Sequence, residues 1–133
     1  MLPEIKEQTK KDFEAAAQKL GISTELPNVS MLRPDLALYI TAHYMLAVLI
    51  EASKDGKQYD ITNHSKRKYS AWFEAEEGYV PGSSGGSFSY FDFGHDLDSS
   101  NVCARLTSNT WEECKEFAEK YIDLWEIIML LVS

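Results

Sequence analysis

Cysteine is scarce: 133 residues hold two, Cys103 and Cys114. That is too few for a disulfide scaffold and short of the four ligands of a structural zinc site. Basic side chains are in the minority, 13 against 21 acidic, for a net charge of -8 and a pI near 4.8. Such a balance opposes broad attraction to phosphate backbones. The N-terminus lacks a basic segment leading into an apolar stretch and a small-residue cleavage site, so no secretory signal is read and a cytoplasmic, reducing home is expected. The longest apolar run, residues 36–50, is interrupted by Thr41 and His43. It falls short of the roughly 20 residues that span a bilayer, so a buried helix is expected there and no membrane association. Internal repeats are absent, and the only low-complexity stretch is the glycine-serine run at 82–86.

What is present describes a globular chain. Residues 1–133 form one expected domain, with 44% hydrophobic residues and 16 aromatic rings, too many for a disordered polymer. Ile5, Thr9, Phe13, Ala16, Ala17 and Leu20 recur at steps of three and four, with Pro3 at the start and Gly21 as the stop, predicting a helix over 1–21. A second helix is expected over 34–54, opened by Pro34 and apolar on nearly every side, hence central. From Arg67 the period becomes two. Tyr69, Ala71, Phe73 and Ala75 alternate with Lys68, Ser70, Trp72 and Glu74; Phe88 and Tyr90 share one parity, Phe91 and Phe93 the other; and Val102, Ala104 and Leu106 follow. For Phe88 to Phe93, either both faces are aromatic or a bulge shifts the register. Three consecutive strands over 67–107 suggest an antiparallel meander.

Thr110 followed by Glu113 makes a capping box, opening a helix over 110–131 with Cys114, Phe117, Ala118, Tyr121, Leu124, Trp125 and Ile128 on one side and an acidic face opposite. The order of elements gives an α+β class: two N-terminal helices, the meander, and a C-terminal helix packed on one face of the sheet.

Catalytic patterns fail for want of context. Gly82-Ser83-Ser84-Gly85-Gly86 fits G-x-S-x-G, but a nucleophile turn needs a helix directly after it and an aromatic strand follows. Asp92, His95, Asp96 and Asp98 lack calcium-loop spacing, so a solvated acidic turn is the plainer reading and no metal is assigned. His43 is read as a core histidine, and His64 has no visible partner. Neither cysteine has a histidine or basic cluster beside it to lower its pKa. No cofactor is expected, and the chain is not read as an enzyme.

Eight aromatics, Tyr69, Trp72, Phe73, Tyr79, Phe88, Tyr90, Phe91 and Phe93, gather in one hairpin. A sheet covered on one face cannot bury both Phe73 and Trp72, so either both faces are covered or some rings point outward to a partner. The candidate binding residues are Arg67, Tyr69, Trp72, Phe91, Phe93 and Arg105. Charge is unevenly spread: residues 1–60 hold 7 basic and 9 acidic side chains, 61–70 hold three basic ones, and 71–133 hold 3 basic against 12 acidic.

Several stretches carry a resemblance. They are Ala42-His43-Tyr44 through Ile50-Glu51-Ala52, Lys68-Tyr69 with Trp72-Phe73, Gly86-Ser87-Phe88-Ser89-Tyr90, Val102 with Arg105-Leu106, Glu116-Phe117-Ala118 and Asp123-Leu124-Trp125. Over about residues 26–131 the chain resembles short proteins encoded by phages and prophages of gut bacteria, a group with no activity to transfer. Ser70-Ala71 stand where that group has tyrosine-proline. The cysteine of its glycine-serine-arginine-leucine-cysteine run falls two residues before Arg105 here, so no shared cysteine chemistry is implied. The resemblance implies a mobile-element origin, as a virion component or a host-directed accessory factor.

The expected function is therefore non-catalytic binding to a phage or host protein, or to a second copy, through the aromatic hairpin and the acidic face of the last helix. Two alternatives stand beside it. One is a nucleic-acid-associated protein using Lys66, Arg67, Lys68 and Arg105 with outward aromatics, which the net charge opposes. The other is an acidic mimic of DNA.

Overall fold

A computed structural model describes residues 3–54, 68–77, 88–96 and 106–130. Among them the order is α1 (Glu7–Leu20), α2 (Pro34–Ser53), β1 (Lys68–Ala75), β2 (Phe88–Asp96), α3 (Trp111–Lys120) and α4 (Ile122–Leu130). The class is α+β, with four helices and a two-stranded antiparallel sheet.

α1 begins later than Pro3 suggests. Residues 3–6 precede the helix, and the Lys6 backbone N–H donates to Asp123 Oδ2 at 3.0 Å, so a carboxylate from α4 meets the positive end of α1. At the other end Gly21 takes φ 70, where Gly21 N–H donates to Gln18 and Ile22 N–H to Ala17. This Schellman arrangement needs a residue without a Cβ penalty at that φ. Thr9, Phe13, Ala16 and Ala17 form the buried stripe expected from their spacing.

α2 starts with Pro34 at its first position, where a missing N–H costs nothing. Its burial is uneven along its length: Ala42, Met45, Leu46, Val48, Leu49, Ile50 and Ala52 are buried, whereas Leu36 and Ile40 near its start are exposed. The 20-residue helix, of mean hydropathy 1.5, is long and apolar enough to cross a membrane by length and composition. Core helices pass the same test, and the second half of α2 is packed against α1 and α4.

The expected single helix over 110–131 is two helices. Thr110 Oγ1 accepts from Glu113 N–H at 3.2 Å and starts α3. The ladder then breaks at Tyr121, with φ -113 and ψ 36. Tyr121 and Asp123 both reach α1: the phenol donates to Asp12 Oδ2 at 3.1 Å, and Asp123 accepts from Lys6. The break lets one segment serve two surfaces, because α3 lies on both strands while α4 packs chiefly on α2.

The hairpin strands pair antiparallel, with Phe73 opposite Tyr90, Trp72 opposite Asp92 and Ala71 opposite Phe93. A bulge leaves Phe91 as the extra residue. The shift puts Tyr90 and Phe93 opposite Phe73 and Ala71, residues of one row of β1, although their own parities differ.

Most of the expected third strand, residues 102–105, lies outside the described residues, and Leu106 sits in a 3₁₀ turn. Ser108 makes an isolated antiparallel bridge with Tyr69, donating at 2.9 Å and accepting at 3.0 Å. Since both Tyr69 backbone groups are used this way, Ser108 lies on the edge of β1 away from β2. A meander would have put it beside β2.

The core joins the layers. Phe13, Met45, Leu46, Ile50, Leu124 and Ile127 are its largest fully buried side chains, and each such burial is worth about 1.5–3 kcal/mol. Phe73 stacks on Phe88 at 5.1 Å and meets Trp125 of α4 at 5.2 Å, fastening the sheet to the helices.

Candidate protein-binding face

Alternation along β1 sends Phe73 toward Trp125 and Trp72 to the other side of the sheet. Trp72 is 53% exposed, and the bulge residue Phe91 is 59% exposed. Both rings are open to solvent, and Phe91 directly precedes Asp92, the register partner of Trp72. Glu74 lies two residues beyond Trp72 in the same row, ~6.8 Å along the strand, and Asp92 is opposite Trp72 in register. Glu74, Glu76, Glu77 and Asp92 are all exposed.

The other candidates fall differently. Tyr69 is half-buried, and its backbone is held in the Ser108 bridge. Phe93 pairs with Ala71 in the ladder. Arg67 and Arg105, which with Lys66 and Lys68 made up the basic patch, lie outside the described residues. So do His64, Asp98, Cys103 and the 82–86 run. Of six candidates, Trp72 and Phe91 are therefore the two that the structure shows exposed, close to each other in the ladder.

No group of three or more His, Cys, Asp or Glu side chains suited to a metal exists among the described residues. Cys114 is a buried free thiol, and burial pushes it up to about 11, which keeps it protonated and inert near neutrality. Tyr121 is likewise pushed above its ordinary value, first by burial and then by its hydrogen bond to Asp12. His43 sits edge-on to Tyr39 within α2, at 5.9 Å between ring centres. Among the described residues, the buried Asp123 Oδ1 and Trp125 Nε1 find no hydrogen-bond partner. A groove of about 650 Å³ between residues 3–10 and the first turns of α2 is lined by Pro3, Ile5, Val29, Ala37 and Leu38. Its Lys10 and Glu7 are spent on each other at 3.1 Å.

A second exposed apolar region was not singled out from sequence. Ile22, Leu26, Leu32, Leu36 and Ile40 are each more than two-fifths exposed, and Met31 is 97% exposed. The signal available was the all-round apolar start of α2 preceded by a connection that itself carries Ile22, Leu26, Val29, Met31 and Leu32.

No family model matches the chain, and neither a curated protein nor a solved structure is similar to it.

Proposed function

We propose that the chain is a non-catalytic binding protein of phage or prophage origin, a virion component or host-directed factor, that takes a protein partner on the outward face of its sheet. One observation carries this reading: Trp72 is exposed on the face of β1 opposite Phe73, and Phe91, next in the chain to the register partner of Trp72, is exposed as well. Tryptophan is among the commonest anchors of protein interfaces, and large rings left in water gain most from being covered. The exposed carboxylates of α3, Glu112, Glu113, Glu116 and Glu119, would make a second acidic contact surface, on the helix-covered side of the sheet.

The test compares the full chain with Trp72→Ala and Phe91→Ala, each immobilised and exposed to lysate of the phage-carrying host. Proteins retained by the parent should be lost from both variants, while circular dichroism melting curves coincide. Should either variant unfold the chain, the rings belong to the core and the reading fails.

A further inference from the structure

We infer that the partner of this face is a basic protein segment that presents arginine to Trp72, Phe91 and the neighbouring carboxylates; this rests on the protein-binding reading above. The argument is one of charge complementarity around an aromatic platform. Residues 69–77 and 88–92 contain four acidic side chains, Glu74, Glu76, Glu77 and Asp92, and no basic one; the cation of β1, Lys68, stands four residues before Trp72 in its row, ~14 Å along the strand. All four are exposed, as are both rings. Glu74 shares the outward row with Trp72, and Asp92 is the register partner of Trp72.

A guanidinium suits both halves of such a surface. Its plane stacks on an aromatic face, and its fork of N–H donors matches a carboxylate in two parallel hydrogen bonds. Lysine offers the charge without the plane or the fork. Other occupants meet opposition. Nucleic acid and anionic lipid would bring like charge to the carboxylates. A second copy docking this face on itself by a two-fold axis would oppose carboxylate to carboxylate.

The experiment titrates the full chain with fluorescent peptides in which glycine alternates with arginine, citrulline or glutamate. Citrulline keeps the shape of arginine and removes its charge. Binding of the arginine peptide is expected, weakened about tenfold by Trp72→Ala and by the triple change Glu74→Gln, Glu76→Gln, Glu77→Gln. It should also weaken as salt rises, and the citrulline peptide should bind at least about tenfold less tightly.

Arginine-peptide binding that persists undiminished in Trp72→Ala overturns the inference, since diffuse attraction to a chain of charge -8 would then explain it. If the citrulline or glutamate peptide binds as well as the arginine one, and Trp72→Ala abolishes it, the face takes peptides but not for their charge. That outcome overturns the basic-partner inference and leaves the protein-binding reading standing. Self-association seen by sedimentation and abolished by Trp72→Ala assigns the face to a second copy, with the same consequence. If no peptide binds, no self-association appears and the lysate comparison is also negative, both readings fall.

Discussion

Trp72 and Phe73 are adjacent in the chain and opposite in circumstance. Phe73 packs against Phe88 and Trp125, while Trp72 stands half in water. The same strand thus spends one aromatic row on cohesion and leaves the other available. On the inner face a ring is worth what its removal would uncover. On the outer face it is worth what a partner would cover.

The largest effect should come from breaking the inner face. Phe88→Ala removes a buried ring that stacks on Phe73 and should lower stability by about 3–5 kcal/mol, read from the urea midpoint. A loss below 1 kcal/mol would mean that the two faces do not differ as described. Next is the junction that seats α4 under the sheet. Tyr121→Phe deletes the donor to Asp12 and should cost about 1.5–3 kcal/mol, since the acceptor is a carboxylate.

Alkaline titration sharpens the contrast through Cys114 on the covered side of the sheet. Its ordinary pKa of 9.0 is pushed up to about 11 in the fold because burial disfavours the thiolate. A raised pKa gives stability that is intact below pH 9 and is lost as pH rises toward 11. The unfolding midpoint should therefore fall across that window, and fall less in Cys114→Ala, each curve being referred to its own value near pH 7. The smallest effect belongs to the outer face. Trp72→Ala and Phe91→Ala should each change stability by no more than about 0.5 kcal/mol in the same urea titration.

Much of the fold was legible because it is written locally. Gly21 and Pro34 bracket helices through their backbone constraints alone, and Thr110 marks the start of α3 through a bond spanning three residues. Alternation in β1 identified a strand with unlike faces, and the parity clash between Tyr90 and Phe93 pointed to the bulge as one of two solutions. The break at Tyr121 was not legible. The apolar spacing runs through it without a fault, and the groups that hold it, Asp12 and the Lys6 amide, are more than a hundred residues away. Pro3 misled for a similar reason, because the start of α1 is set by a carboxylate from α4. Most of the expected third strand lies outside the described residues; Ser108, just beyond it, pairs with β1, a contact between residues far apart in sequence that no local pattern announces.

At the candidate site, sequence alone marked Trp72 and Phe91 together with four residues that the described structure does not bring to the same exposed pair. Residue type says that a ring is costly to leave in water. It does not say which ring the helices will cover.

The sequence by itself determined the acidic charge, the helix and strand periods and most of the caps, all consequences of side chains acting on their own backbone or near neighbours. The tertiary structure alone decided where the C-terminal helix breaks, which edge of β1 receives Ser108, and that Phe73 packs against the core while Trp72 does not. Those outcomes depend on which distant surfaces meet, and burial is a property of the meeting rather than of either residue.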